Sequence, residues 1–293
     1  MAEASIPVDL WNPGQVFACI GFAEAAEVLL GDAEGCFDWS NRGATRFHLR
    51  AGGEESPIER VLGFLSQATV TTEAPHRSEN IFGWKTRSWG GEPIELPGGA
   101  PYPAPDPDSP ATLVAVLSTG EHRLRVDYWA DIVRDNAKFW AGSGGYPGAA
   151  LMRDALDLVR DRLVDSARDP FALAVPQSSS FRLDWRRDYI PIDAGFSLNK
   201  HDGSIQTVGY PLVELLGAIG LTHARPRRLQ TKLEYRYAVA GTSRELVWLP
   251  LVFLRAALGA PEMPFETRHF HMILSWPGKE GQARAITQVK EGV

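Results

Sequence analysis

The chain has 293 residues, of which 44% are hydrophobic and 23% are charged, and this composition excludes disorder as the main state of the chain. The net charge of −6, from 30 basic and 36 acidic residues, argues against a free-standing nucleic-acid-binding protein. The two cysteines, Cys19 and Cys36, are too few for a disulfide framework or a four-cysteine zinc site, and they favour a reducing cytoplasm.

Two further features predict a cytoplasmic location without membrane contact. We find no apolar run that approaches the roughly 18 to 20 residues needed to span a membrane. Residues 1–9 lack a basic stretch followed by an apolar run, so we expect no signal peptide.

The charges are distributed unevenly along the chain. Residues 1–120 contain 7 basic and 16 acidic residues, residues 121–200 contain 12 of each, and residues 201–293 contain 11 basic and 8 acidic residues. The acidic excess therefore belongs to the first part, and the last part is mildly basic.

The first predicted element is a buried helix over residues 13–30. Asn12 is a favourable N-cap, Pro13 suits the first helical position, and Gln15 three residues after the cap gives a capping-box pattern. Gly31 provides a C-terminal stop. Because residues 16–20 are apolar on nearly all sides, we expect this helix to lie in the core.

The next part of the chain has the pattern of strands, loops and one short helix near residues 58–66. Residues 97–110 are rich in proline and glycine, which excludes a regular helix or ladder there. We therefore predict an N-terminal α/β portion over residues 1–96, a linker or long loop over residues 97–110, and a C-terminal α+β portion over residues 111–293. One continuous domain is the alternative.

The remaining elements mix strands and helices. Apolar runs and period-two alternation predict strands over residues 112–118, 123–129, 181–185, 233–239 and 269–276. Helical periodicity with proline and glycine boundaries predicts helices over residues 149–167, 211–219 and 250–259. Because the elements do not alternate as βαβ units, the fold class is α+β, with a buried N-terminal helix and short C-terminal helices.

Two sets of side chains support an enzymatic alternative. His269 and His271 lie on one face of a predicted strand, which would supply half of a metal site. Asp127, Asp131 and Asp135 recur every four residues and would share one face of a helix. The alternative hypothesis is therefore a metal-dependent nuclease, whereas structural histidines and a solvated acidic stripe are the favoured interpretation.

The sequence contains no pattern for a nucleophile elbow, a phosphate-binding loop or a dinucleotide fingerprint. A further carboxylate series is interleaved with arginines, which is typical of an exterior rich in ion pairs, at Asp154, Asp157, Asp161 and Asp165. We therefore predict no cofactor, no metal site and no catalytic residue.

Two stretches combine cations with groups that suit nucleic acid. The first places basic and amide side chains among tryptophans and a phenylalanine, at Arg77, Asn80, Lys85 and Arg87. The second is a basic run with Arg225, Arg227, Arg228 and Lys232. Cations bind phosphates and aromatic rings stack on bases, so both stretches are candidate contacts, with an ordinary exposed loop as the alternative for each.

Three motifs, in chain order, resemble a known family. The first is an Asn-Pro-Gly followed by a small-residue helix, at Asn12, Pro13, Gly14, Ala18, Cys19 and Gly21. The second is an Asp-aromatic-Trp segment followed by a lysine and Trp-Ala-Gly, at Asp127, Tyr128, Trp129, Lys138, Trp140, Ala141 and Gly142. The third is an apolar helix over residues 209–226 that ends in Gly-Leu before a proline. The set is similar to the compact large subunit of type I-U (I-G) CRISPR-Cas Cascade complexes.

This resemblance implies a non-catalytic subunit that works with nucleic acid and with other proteins. Such subunits contact the 5′ handle of the guide RNA and the protospacer-adjacent duplex DNA, and they support R-loop formation in antiviral defence. Their partners are the backbone subunits, the handle-binding or processing subunit, and a helicase-nuclease recruited in trans. Lys138 is then the first candidate for a phosphate or handle contact, with a lysine stem packed on indole as its structural alternative. In a system of this type, the enzymatic alternative is a metal-dependent nuclease or a guide-RNA-processing ribonuclease. A scaffold that touches only proteins is a third hypothesis.

Overall fold

The computed structural model describes residues 1–75, 91–94, 114–126, 148–177, 180–186, 207–231, 233–276 and 284–292. In these ranges the fold is α+β, as predicted. The α-helices are α1 (Pro13–Leu30), α2 (Pro57–Gln67), α3 (Gly148–Val159), α4 (Pro211–Gly220) and α5 (Leu251–Leu258). The strands are β1 (Ala2–Pro7), β2 (Glu34–Asp38), β3 (Arg46–Ala51), β4 (Thr69–Pro75), β5 (Gly91–Ile94), β6 (Val114–Ser118), β7 (Arg123–Val126), β8 (Val175–Pro176), β9 (Val208–Gly209), β10 (Arg227–Arg228), β11 (Glu234–Thr242), β12 (Leu249–Pro250), β13 (Thr267–Ser275) and β14 (Ala285–Gly292).

Helix α1 begins and ends where the sequence predicts. The Asn12 side chain accepts a hydrogen bond from the backbone N–H of Gly14 at 3.1 Å, and Gly31 ends the helix with a φ of 75°. The predicted capping box differs in its partner. Gln15 Oε1 accepts from the backbone N–H of Asp9 at 2.7 Å, because the N–H of Asn12 already donates to the carbonyl of Asp9.

Helix α1 is a core helix. Among the described helices it alone is long and apolar enough to cross a membrane by length and composition, which corrects the expectation that no segment reaches that length. In the fold, however, 83% of it is buried, and Phe17 makes an edge-to-face contact with Tyr237 of β11. The prediction of a buried N-terminal helix is therefore confirmed, and its apolar composition follows from this packing.

The larger sheet combines strands from both ends of the chain. Its order is β1-β3-β2-β11-β13-β14, with β10 paired to β11 and β12 paired to β2. Only the β2–β11 pair is parallel in this sheet, within the described residues. Aromatic residues on its inner face are buried in the core, at Phe37, Phe47, Tyr235, Tyr237 and Phe270.

A smaller sheet has the order β5-β4-β6-β7, and α3 packs against β4 and β6. The predicted strands over residues 112–118 and 123–129 appear here as β6 and β7. The two predicted strands extend beyond β6 and β7 into residues 112–113 and 127–129, which fall outside the described residues.

Two predicted elements differ from the structure. Residues 180–186 form no strand. Arg182 has a φ of 62°, and the backbone N–H groups of Leu183 and Asp184 donate to the Glu214 carboxylate at 3.1 Å instead of to a neighbouring strand. The predicted helix over residues 149–167 ends as an α-helix at Val159 and continues as the 3₁₀ turns Arg160–Arg162 and Val164–Ser166.

The described parts of the predicted N-terminal and C-terminal portions share one sheet, because β2 pairs with both β11 and β12. The break predicted over residues 97–110 lies outside the described residues. The division into portions therefore stays a prediction.

Candidate nucleic-acid interface

The structure describes three of the nine predicted contact residues. Arg225, Arg227 and Arg228 lie in the chain between α4 and β11. The others lie outside the described residues and stay predictions, namely Arg77, Asn80, Lys85, Arg87, Lys138 and Lys232.

Arg227 and Arg228 form the short strand β10. Antiparallel pairing with β11 places Arg227 opposite Arg236 and Arg228 opposite Tyr235. Since directly opposed residues share one face of a sheet, Arg227 and Arg236 present two like charges on the same face. Both residues are exposed, so water screens their repulsion.

The register extends this pair into a row across four strands. Arg236 of β11 lies opposite His271 of β13, and His271 lies opposite Lys290 of β14. We call Arg227, Arg236, His271 and Lys290 the basic row. At a strand spacing of about 4.8 Å the row spans about 14 Å, which is long enough to follow a nucleic-acid backbone.

Carboxylates neutralise little of the basic row. His271 Nε2 lies 3.6 Å from Glu234 Oε2. In the part of the chain that the structure describes, Arg227, Arg236 and Lys290 have no carboxylate oxygen within 4.0 Å. Three exposed cations on one sheet face are therefore available to phosphate oxygens.

His269 lies beside the basic row on the same face of β13 as His271, as predicted. Desolvation lowers the pKa of His269, and the charge of Arg236 lowers it further. Its Nε2 lies 3.1 Å from Thr267 Oγ1. The neutral form is therefore favoured at neutral pH, and His269 adds hydrogen-bonding capacity rather than charge to this face.

The pKa shift of His269 predicts how stability depends on pH. Folding lowers this pKa, so the unfolded chain binds more protons below about pH 6.5, and the free energy of unfolding falls as the pH decreases there. We expect His269→Gln to weaken this dependence, as measured by urea unfolding at about pH 7 and pH 5.5. The remaining dependence includes His48, whose pKa is also lowered, first by desolvation. An unchanged dependence in the variant would contradict this assignment.

Of the residues of the enzymatic alternative, only His269 and His271 lie in the described ranges, where they share one face of β13. No group of three or more histidine, cysteine, aspartate or glutamate side chains that could hold a metal ion occurs among the described residues. Glu266, five residues before His271, instead accepts hydrogen bonds from Trp39 Nε1 at 3.1 Å and from the backbone N–H of Ser243 at 2.8 Å. Desolvation opposes the shift, but these bonds lower the pKa of Glu266.

The structure describes one of the two predicted aspartate series. Asp127, Asp131 and Asp135 lie outside the described residues. Asp157 forms an ion pair with Arg160 at 3.0 Å, and Asp154 lies 3.9 Å from Arg153. Asp161 and Asp165 are exposed on the 3₁₀ turns that follow α3.

Sequence reasoning missed two members of the basic row, Arg236 and Lys290. A signal for Arg236 is present, since Tyr235-Arg236-Tyr237 places one cation between two aromatic residues in a strand of period two. Lys290 has no comparable local signal, because only the pairing of β13 with β14 brings it to the row.

No protein-family model, curated protein or solved structure matches this chain.

Proposed function

We propose that this chain is a non-catalytic large subunit of a type I-U CRISPR RNA-guided DNA surveillance complex. In this proposal it contacts the 5′ handle of the guide RNA and the protospacer-adjacent duplex DNA, supports R-loop formation in the cytoplasm, and leaves cleavage to a helicase-nuclease recruited in trans. The observation that carries the proposal is the ordered set of motifs, from Asn12 to the helix that ends near Gly220.

The N-terminal motif has a structural explanation in the packing of α1. A Cβ at Gly14 would lie 2.6 Å from the carbonyl oxygen of Leu183, and a Cβ at Gly21 would overlap the carbonyl oxygen of Leu216. Cys19 in the same motif is fully buried, and desolvation raises the pKa of its thiol well above the ordinary value. The motif therefore specifies how α1 packs and supplies no accessible nucleophile.

The basic row gives the proposal a surface for nucleic acid. Guide pairing reads the target sequence in such complexes, so the protein needs positioning contacts to phosphates more than base-reading contacts. Exposed arginine and lysine side chains on an open sheet face supply positioning contacts of this kind. We assign Arg227, Arg236 and Lys290 to contacts with a nucleic-acid backbone.

The proposal is tested in the assembled complex with the triple variant Arg227→Gln, Arg236→Gln and Lys290→Gln. If each side chain neutralises one phosphate, the slope of log affinity for target DNA against log salt decreases by about 2 to 3 units in magnitude. Affinity is measured by electrophoretic mobility shift at several salt concentrations.

The matched control changes three exposed arginines elsewhere, at Arg162, Arg168 and Arg244. It removes the same total charge but should leave the slope near that of the parent chain. If both triple variants changed the slope equally, the effect of the basic row would come from overall charge and not from specific phosphate contacts. Failure of the chain to assemble with guide RNA and the other subunits would contradict the function itself. Metal-dependent cleavage by the isolated chain, lost in His271→Ala, would favour the nuclease alternative.

A further inference from the structure

A cleft opens on another part of the surface, where the turn after β1 faces the loop before β3. Its volume is about 420 Å³, within the range of small-molecule sites. The polar and aromatic residues that matter in its wall are Asp9, Trp11, Arg42, Asp169, Arg186 and Arg268. None of them belongs to the basic row.

Two of the three arginines in the cleft are already engaged. Arg186 donates to the Asp184 carboxylate, with Nη2 to Oδ2 at 2.6 Å, and to the carbonyl of Phe171 at 2.9 Å. Arg268 donates to both oxygens of Glu291, at 2.6 and 2.9 Å. These pairs fix the walls of the cleft and cancel most of the positive charge of the two arginines.

Other groups in the same wall have unused hydrogen-bonding capacity. Among the described residues, the guanidinium of Arg42 and the carboxylate of Asp169 make no hydrogen bond and no ion pair within 4.0 Å, and both residues are exposed. At longer range, the charge of Arg42 lowers the pKa of Glu291, after the larger effect of the Arg268 hydrogen bond. Asp9 uses Oδ1 to accept from the backbone N–H of Trp11 at 2.9 Å, so its other oxygen remains available.

The cleft also offers an aromatic surface. Trp11 is 38% exposed, and its contact with Phe270 is edge-to-face, with ring centroids 5.6 Å apart. The exposed part of the indole offers a surface on which a planar ligand can stack, and Arg42 and the two carboxylates line the same cleft.

This combination suits a base better than a bare phosphate. Two carboxylates beside the cations disfavour an isolated anion, whereas a nucleobase presents donors and acceptors at its edges. Guanine matches most completely, because its N1–H and N2–H groups donate to a carboxylate while O6 and N7 accept from a guanidinium. We propose that this cleft binds an unpaired guanine base, with Trp11 stacking, Asp169 accepting and Arg42 donating. The inference rests on the proposed function, which supplies the nucleic-acid strand that carries this base.

The test measures binding of guanosine, adenosine, cytidine and uridine 5′-monophosphates to the full chain by saturation-transfer NMR. Guanosine monophosphate should bind most tightly, and inorganic phosphate should compete poorly. Asp169→Asn and Arg42→Gln should each weaken guanosine monophosphate binding about tenfold. Trp11→Ala should weaken it by a similar factor, and Trp11→Phe should restore part of the loss because the ring can still stack.

The control variants Asp165→Asn and Arg162→Gln remove the same charges from exposed positions that do not line the cleft, and they should leave the affinity unchanged. Equal binding of all four nucleotides, strong competition by phosphate, or no saturable binding of guanosine monophosphate would overturn the assignment. The assignment would also be overturned if a protein subunit shielded Trp11 from solvent in the absence of RNA. If the basic-row variants weaken DNA binding in the complex but the cleft variants bind guanosine monophosphate normally, this inference fails while the proposed function stands.

Discussion

Replacing Gly21 by alanine is expected to lower the free energy of unfolding by about 3 kcal/mol or more. Gly21 of α1 lies against the backbone of α4, and an added Cβ would overlap the carbonyl oxygen of Leu216. The contact is reciprocal, since a Cβ at Gly220 of α4 would overlap the carbonyl oxygen of Phe17. Because backbone atoms of two packed helices cannot move aside as a flexible side chain can, the helices must separate.

A matched control is available within α2. A Cβ at Gly63 would meet no atom within 4 Å, so Gly63→Ala should raise the free energy of unfolding by about 0.5 to 1 kcal/mol through helix propensity alone. Urea unfolding followed by circular dichroism measures both variants. If Gly21→Ala matches the parent chain within about 0.5 kcal/mol, the close approach of α1 and α4 is contradicted.

The sequence predicted the elements whose boundaries are set by local chemistry. Asn12 caps α1 through its own side chain, and Gly31 ends it with a positive φ. Helix α2 follows the same logic, since Ser56 caps it by accepting from the backbone N–H of Glu59. In both helices the signal lies within a few residues of the boundary, so no knowledge of the tertiary structure is needed.

The wrong strand over residues 181–185 has the opposite cause. Its alternating Phe181, Leu183 and Trp185 have the pattern of a strand. The decisive partner is the carboxylate of Glu214, about thirty residues further along the chain, which accepts the backbone N–H groups that a strand would need for pairing. A buried side chain from a distant helix replaces the neighbouring strand, and no local sequence pattern predicts that replacement.

The candidate interface was predictable only in part for a related reason. Clustered charge identified Arg227 and Arg228 in the sequence, because they are adjacent. The basic row joins Arg227, Arg236 and Lys290 through three strand registers, and the positions are up to 63 residues apart in the sequence. Register is a property of the folded sheet, so no local pattern in the sequence predicts this row.

The second large effect is expected at Asp184, which is fully buried. Its carboxylate accepts from Asn12 Nδ2 at 2.9 Å and from Arg186 Nε at 3.1 Å, so it ties the start of α1 to the segment before α4. Arg186 in turn lies 3.6 Å above the ring of Tyr210. Asp184→Ala leaves the Arg186 cation without its partner, and we expect a loss of about 3 kcal/mol in the free energy of unfolding.

Asp184→Asn separates the two contributions to this loss. The amide oxygen can still accept from Asn12 Nδ2, whereas the charge that pairs with Arg186 is gone, so the alanine and asparagine variants should differ by about 1 kcal/mol. Combining Asp184→Asn with Arg186→Gln should then cost less than the sum of the two single changes, because the second change removes the cation left unpaired by the first. Additive losses in urea unfolding would mean that Asp184 and Arg186 act independently, and the role of this ion pair at the junction of α1 with the segment before α4 would have to be abandoned.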